Sequence, residues 1–202
     1  MTDAAKTQLQ QTLLAAAVGD EQAWRTIVDL YAARVFALLR AQWPDDELAE
    51  EITQSTFCTV ASKLADYTEL GRFEAWLFRI AMNRLRDEMR RRKRQAINME
   101  SDALATLPGS GMERDQPDRP DEEQIVALRR AMAKLSESDR HIIHLRHHGG
   151  LSFRQIADVL GEPLGTVLAR QHRALQKLAD LMEPSPAAPS EPKEQSDRKR
   201  PQ

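Results

Sequence analysis

Arg79, Asn83, Arg86, Arg90 and Arg94 recur at spacings of four, three, four and four residues. An α-helix turns about 100° per residue. The five therefore share one face, and Trp76, Leu77, Ile80, Ala81, Leu85 and Met89 share the other. Such a cationic ladder can follow a nucleic-acid backbone, and Asn83 among the cations can hydrogen-bond a base edge. Residues 79–94 hold eight basic side chains against Asp87 and Glu88. Like charges at i, i+4 repel, so solubility alone does not account for the ladder. The neighbouring loop, residues 66–72, carries Tyr67 and Arg72 and could hold an unstacked base. Phe73, at its end, reads at least as well as a core residue.

A second set of residues lies in the C-terminal half. Thr166, His172, Arg173 and Gln176 fall on one side of a helical stretch, with Arg170 and Lys177 at its border. Val167, Ala174, Leu175, Leu178 and Leu181 fall on the other. A packed side opposite a short cationic side suits a helix in a DNA major groove. Just upstream, Ser152 and Gln155 have capping-box spacing. Ile156, Ala157 and Leu160 form an inner face, with Ala157 small enough for a close helix crossing. Gly161 supplies the turn, and Pro163 presets the start of the next helix. An ordinary amphipathic helix pair would have the same turn. Arg146, just before Gly149 and Gly150, tips the reading toward DNA, because it stands where a backbone phosphate would pass.

Other chemistry is poorly supported. No paired carboxylates, Gly-rich phosphate loop or nucleophile arrangement stands out, so no enzyme is expected. His141, His144 and His148 could share a helix face, and imidazoles at that spacing can bind zinc. No Cys or carboxylate completes the set, so solvated or DNA-facing histidines are expected, with no metal and no cofactor. Cys58 is the single cysteine and has no internal disulfide partner. In its apolar helical stretch it reads as a small buried hydrophobe.

The elements that must carry these faces read as helices throughout. The 202 residues are 41% hydrophobic but only 5% aromatic, a mix that suits short helical bundles better than a sandwich or barrel. Helical spacing runs through Trp24, Ile27, Val28, Tyr31, Val35, Leu38 and Leu39. Pro44, Asp45 and Asp46 end that helix and start another over about 47–64, and a third follows from about 73 to 94. Periodicity lapses over 96–122, a Pro- and Gly-containing acidic stretch read as a flexible linker. It returns over 123–182. Residues 183–202 contain five prolines and read as a disordered tail. The expected architecture is all-α: an N-terminal bundle over 1–95, a linker over 96–122, a helix-turn-helix domain over 123–182, and the tail. The net charge of −2 hides opposed blocks, since residues 44–57 hold five acids and no Lys or Arg. Two charged surfaces with different partners follow. No run approaches the roughly 18 apolar residues of a membrane span, and no signal-peptide pattern opens the chain, so a cytoplasmic protein is expected.

These residues resemble a known family. Phe73-Glu-Ala-Trp-Leu-Phe-Arg-Ile-Ala-Met-Asn83, with the basic run over 84–94, resembles the part of sigma-70 region 2 that melts and reads the −10 element. Residues 161–173 resemble the reading half of region 4, which binds the −35 element. Gly19-Asp-Glu-Gln-Ala-Trp24 resembles the start of region 2. The smallest group of the family, the extracytoplasmic-function sigma factors, is the nearest likeness. The resemblance implies binding to core RNA polymerase and promoter DNA. The helix over 47–64 would hold the clamp of the largest polymerase subunit through Glu47, Glu50, Glu51, Gln54 and Phe57. Tyr67, Arg72, Arg79, Asn83, Arg86 and Arg90 would capture the non-template strand at −10. Thr166, Ala169, Arg170, His172 and Arg173 would enter the −35 major groove, with Arg146 on phosphate. Region 4 would also pack on the flap of the second-largest subunit, and the acidic linker would thread the RNA channel. Many relatives are held by an anti-sigma factor, which makes one a candidate partner here.

The chain departs from the family in two places. Ser55 stands where an acid usually follows the Gln of the clamp-binding motif. Leu168 and Ala169 stand where a Lys or Arg and then a Ser often precede the reading Arg. Leu168 cannot donate to phosphate or guanine, whereas Ala169 could touch a thymine methyl. The competing reading is a helix-turn-helix regulator acting without polymerase, in which the N-terminal basic helix would have no use.

Overall fold

Four of the helices begin where a side chain accepts an otherwise unpaired backbone N–H. Asp20 accepts from Ala23 at 2.8 Å, Asp45 from Leu48 at 3.0 Å and Ser136 from Asp139 at 3.2 Å. Ser152 accepts from the Gln155 backbone while Gln155 Oε1 accepts from the Ser152 N–H at 2.8 Å, completing the expected capping box. The computed structural model describes residues 3–100 and 122–182. Most of the expected linker, 101–121, and the expected tail, 183–202, lie outside the described residues.

In chain order the helices are α1 (Asp3–Ala17), α2 (Glu21–Gln42), α3 (Asp46–Lys63), α4 (Phe73–Glu100), α5 (Glu122–Ala133), α6 (Glu137–His147), α7 (Phe153–Leu160) and α8 (Leu164–Met182), with a 3-10 turn at Leu64–Asp66. Among the described residues there is no strand, so the all-α expectation holds. Two boundaries differ. Gly19, at φ 94°, and the Asp20 cap separate α1 from α2. Helix α4 runs to Glu100 rather than ending near 94, because no Gly or Pro interrupts the chain until Pro108.

Helices α1–α4 enclose an apolar core in which Ile27, Val35, Leu38, Val60, Leu77, Phe78 and Met82 are fully buried. Helix α7 packs on α4, and α6 on α2. As a result Ile142, Leu145, Leu151, Ile156, Val159 and Val167 join the same apolar cluster. A smaller cluster of Leu135, Ile143 and Ala174, with Met132, Leu178 and Leu181 against it, holds α5, α6 and α8 together. Burying one such Leu, Ile or Phe stabilises the fold by about 1.5–3 kcal/mol. No helix of the described residues is long and apolar enough to cross a membrane.

A candidate nucleic-acid interface on two helices

The basic side chains of α4 divide by partner. Arg84 donates to Thr59 Oγ1. Arg91 and Arg92 both bond Glu88, at 2.7 and 2.9 Å, and Arg92 reaches Asp45 at 3.1 Å. The Arg91 hydrogen bond holds the Glu88 carboxyl below its ordinary range. Asp45 is lowered chiefly by the Leu48 N–H it caps, with Arg92 adding to it. Arg84 and Arg92 tie α4 to α3 and its cap, whereas Arg91 pairs within α4. The outward set is different. Asn83 and Arg90 are exposed. Arg86 donates to Asn83 Oδ1 at 2.8 Å, and Arg90 lies 3.8 Å from Asp87. A bond that holds the Asn83 carbonyl in place leaves its NH2 group to donate. Arg79, also exposed, donates to the backbone carbonyl of Asp158 on α7.

The 66–72 loop is built on aromatic packing. Tyr67 stacks on Trp76 at 4.4 Å and 20° between planes. Its hydroxyl donates to Glu69 at 3.0 Å, and burial pushes its pKa up. Phe73 is 1% exposed and belongs to the core. Arg72 is exposed at the loop's end, with its backbone N–H on Glu69.

On α3, Glu47, Glu50, Glu51 and Gln54 are exposed, with Gln54 donating to Glu50 at 3.3 Å. Phe57 sits differently from these four. It is 8% exposed and meets Trp24 edge-on at 6.3 Å, so it supports the helix from inside. Cys58, expected inside, is exposed. The inward side of α3 is Leu48, Ala49, Ile52, Thr56, Phe57 and Val60, and Cys58 turns away from it.

In the C-terminal half, Gly161 takes the left-handed conformation at φ 69° and turns the chain between α7 and α8. Thr166, Ala169, His172 and Arg173 are exposed on α8, while Val167, Gln171 and Ala174 are buried. Arg170 is half-buried and paired with Glu162 at 2.9 Å, so it braces the turn. Arg146 donates to the Leu151 carbonyl at 2.9 Å and lies over the Phe153 ring at 5.0 Å. Two of the three histidines are less solvated than expected: His141 is half-buried and His144 buried, while His148 is exposed. His144 is 9% exposed and its Nδ1 lies 3.3 Å from His148 Nδ1. Burial, then the neighbouring His148, push its pKa down to about 4. Burial lowers His141 and His148 as well. Among the described residues no group of three or more His, Cys, Asp or Glu could hold a metal ion.

Sequence reasoning missed one cluster. Arg34 on α2 donates to Glu74 at 2.9 Å and, from Nε and Nη2, to the Gly149 carbonyl at 3.1 and 2.6 Å. The guanidinium also lies over the Tyr31 and Phe78 rings. Gln155 Nε2 donates to the other Glu74 oxygen at 2.6 Å. The only hint was an Arg set between the inward residues Tyr31 and Val35. A charge there needs a partner, and the partner's identity depends on tertiary packing.

Among the described residues, an all-helical fold with an outward cationic face on α4 and a second exposed face on a helix-turn-helix has the form of a DNA-binding protein. Residues 27–95 match the family Sigma-70 region 2, and residues 131–180 match Sigma-70, region 4. The chain is 33% identical to the ECF RNA polymerase sigma factor RpoE of Cereibacter sphaeroides over 169 residues, covering 81% of this chain and 88% of that one. It is 35% identical to the ECF RNA polymerase sigma factor SigE of Mycolicibacterium smegmatis over 82% of its own length and 65% of SigE's. The structure of CnrH in complex with the cytosolic domain of CnrY shares the fold, with a TM-score of 0.62 at 24% identity, covering 85% of this chain and 94% of CnrH. The chain belongs to the sigma-70 family, in its extracytoplasmic-function group, and is a transcription factor rather than an enzyme.

Proposed function

We propose that this chain binds core RNA polymerase and directs it to promoters by contacts at both ends of the molecule. The exposed acids Glu47, Glu50 and Glu51, with Gln54, form the surface offered to the clamp of the largest subunit, and Phe57 sets the helix that carries them. Asn83, Arg86 and Arg90, with Arg79 and Arg72, follow the non-template strand at −10, and Tyr67 on Trp76 provides the ring beside it. Thr166, Ala169, His172 and Arg173 face the −35 major groove, with Arg170 bracing the α7–α8 turn and Arg146 near phosphate. Polymerase and chromosome share the cytoplasm, and that is where this role places the protein. CnrH forms a complex with the cytosolic domain of CnrY, and a protein of that kind is a candidate partner here.

The observation that carries this reading is the pair of exposed faces on α4 and α8 of one chain, within segments matching sigma regions 2 and 4. The experiment is run-off transcription from native templates with and without bacterial core RNA polymerase. Initiation that requires both proteins is expected. Tight duplex binding by the chain alone, with no initiation when core is added, would instead establish the polymerase-independent regulator.

A further inference from the structure

The first two turns of α8 are almost without hydrogen-bonding side chains on their exposed surface. Leu164 and Leu168 are 40% and 43% exposed, and Gly165, Thr166 and Ala169 are exposed beside them. At about 100° per residue, Ala169 falls opposite the buried Val167, Gln171 and Ala174, and Leu168 lies on the rim next to His172. The one cation in this half, Arg170, is occupied: it bonds Glu162 at 2.9 Å, with the two side chains only 23% and 29% exposed. Gln171, the one amide, is buried. Apart from the Thr166 hydroxyl, which pairs with either kind of base edge and so selects neither guanine nor adenine, donors that face outward begin a turn later, with His172 and Arg173.

Major-groove chemistry sets what such a surface can read. Guanine is selected by two donors from Arg or Lys, and adenine by the paired donor and acceptor of Asn or Gln. Neither is offered by the exposed N-terminal half of α8. The remaining distinctive group in the groove is the 5-methyl of thymine, which is read by apolar contact. The residues at the N-terminal end of a recognition helix are the ones that meet base edges.

We propose that Leu168 and Ala169 are specificity-determining residues that select T·A pairs in the upstream promoter element through thymine methyl groups. His172 and Arg173 supply the polar contacts at the other end of the same face. This rests on α8 being the helix that enters the groove, as argued under Proposed function. The contribution of each methyl is that of a small apolar group leaving water, which is modest and therefore measurable by removing it.

The test uses the full chain with bacterial core RNA polymerase and linear templates carrying a randomised upstream segment. Transcribed templates are recovered and sequenced. An enriched upstream element with adjacent T·A pairs is expected. Replacing those thymines by deoxyuracil removes only the methyls and keeps every pairing and hydrogen-bonding edge. It should lower initiation about threefold to tenfold. Leu168→Ala should shrink that ratio, and Leu168→Arg should move the enriched base toward guanine. Deoxyuracil templates as active as the originals, or an enriched element unchanged by Leu168→Arg, would overturn the proposal while leaving the sigma reading intact. Failure of every template to be transcribed would overturn the sigma reading, and this inference with it.

Discussion

The side chain of Gln155 works on two domains at once: its Nε2 donates to Glu74 on α4 at 2.6 Å while its Oε1 accepts from the Ser152 N–H at 2.8 Å. The capping residue of the helix-turn-helix is thereby tied to the N-terminal bundle. Glu74 holds Arg34 with its other oxygen, so one carboxylate joins α2, α4 and α7.

Gln155→Glu separates these two roles. A Glu at this position still completes a capping box with Ser152, but it sets a carboxylate against Glu74. The expected result is a loss of roughly 1–3 kcal/mol in denaturant unfolding, with a larger radius of gyration in solution scattering. Wild-type stability and dimensions in this variant would mean that the bond does not hold the halves together.

The Arg34 cluster shows where reading the sequence stops. Apolar spacing gives the helices, Ser152 and Gly161 give the α7–α8 turn, and the α4 ladder is visible as charge at helical intervals. All three are local, and the structure has them where the spacing put them, apart from the α1–α2 break at Gly19 and the longer α4. The packing of α7 on α4 depends on contacts far apart along the chain, such as Arg34 with Gly149, and local pattern does not encode which side chains meet. Cys58 and Phe57 are a different case. They are neighbours on α3, and the first is exposed while the second is buried. At about 100° per residue Phe57 shares the inner arc with Leu48, Ile52, Thr56 and Val60 and Cys58 falls on the far side, so the spacing held the answer and residue type pointed the other way.

Gly149 and Gly161 should respond differently to alanine. A Cβ on Gly149 would lie 2.6 Å from the Leu145 carbonyl oxygen, so the end of α6 and the Gly149 carbonyl bound by Arg34 would have to shift. Gly161 has open space around it but sits at φ 69°. Its cost is the backbone term alone, about 1–2 kcal/mol. Gly161→Asn should recover much of that, since Asn tolerates this conformation, whereas Gly149→Asn should be as damaging as Gly149→Ala. Thermal unfolding of the four variants decides the matter, and equal responses to Ala and Asn at Gly161 would count against the backbone explanation.

His144 predicts a loss of stability in mild acid. Its folded pKa is pushed down to about 4 from an ordinary value of 6.5. The unfolded chain therefore takes up a proton that the folded chain refuses, and stability rises with pH across this window. The contribution is complete above about pH 6.5 and is lost progressively as the pH falls toward 4. It is about 3 kcal/mol at most by linkage. Unfolding midpoints measured between pH 7.5 and 4.5 should fall for the wild type. His144→Asn, which cannot titrate, should show a shallower fall. A parallel fall in both would move the effect to other groups.

Arg170 and Arg173 lie three residues apart on α8, and their substitutions should fail in different assays. Arg173 is exposed, and among the described residues it bonds the Ala169 carbonyl of its own helix at 3.3 Å. Arg173→Ala should weaken binding to the upstream element by about 1–3 kcal/mol if it reads a base, or lower the salt slope by about 1 if it meets phosphate. The melting temperature should hold. Arg170 pairs with Glu162, whose other carboxylate oxygen is buried without a partner. Arg170→Ala would leave a half-buried carboxylate unpaired, at a cost to folding of roughly 1–3 kcal/mol. It should lower the melting temperature without altering which bases are preferred. If Arg170→Ala changes base preference while melting normally, Arg170 leaves Glu162 to contact DNA, and the apolar reading of the α8 N-terminal half loses its main support.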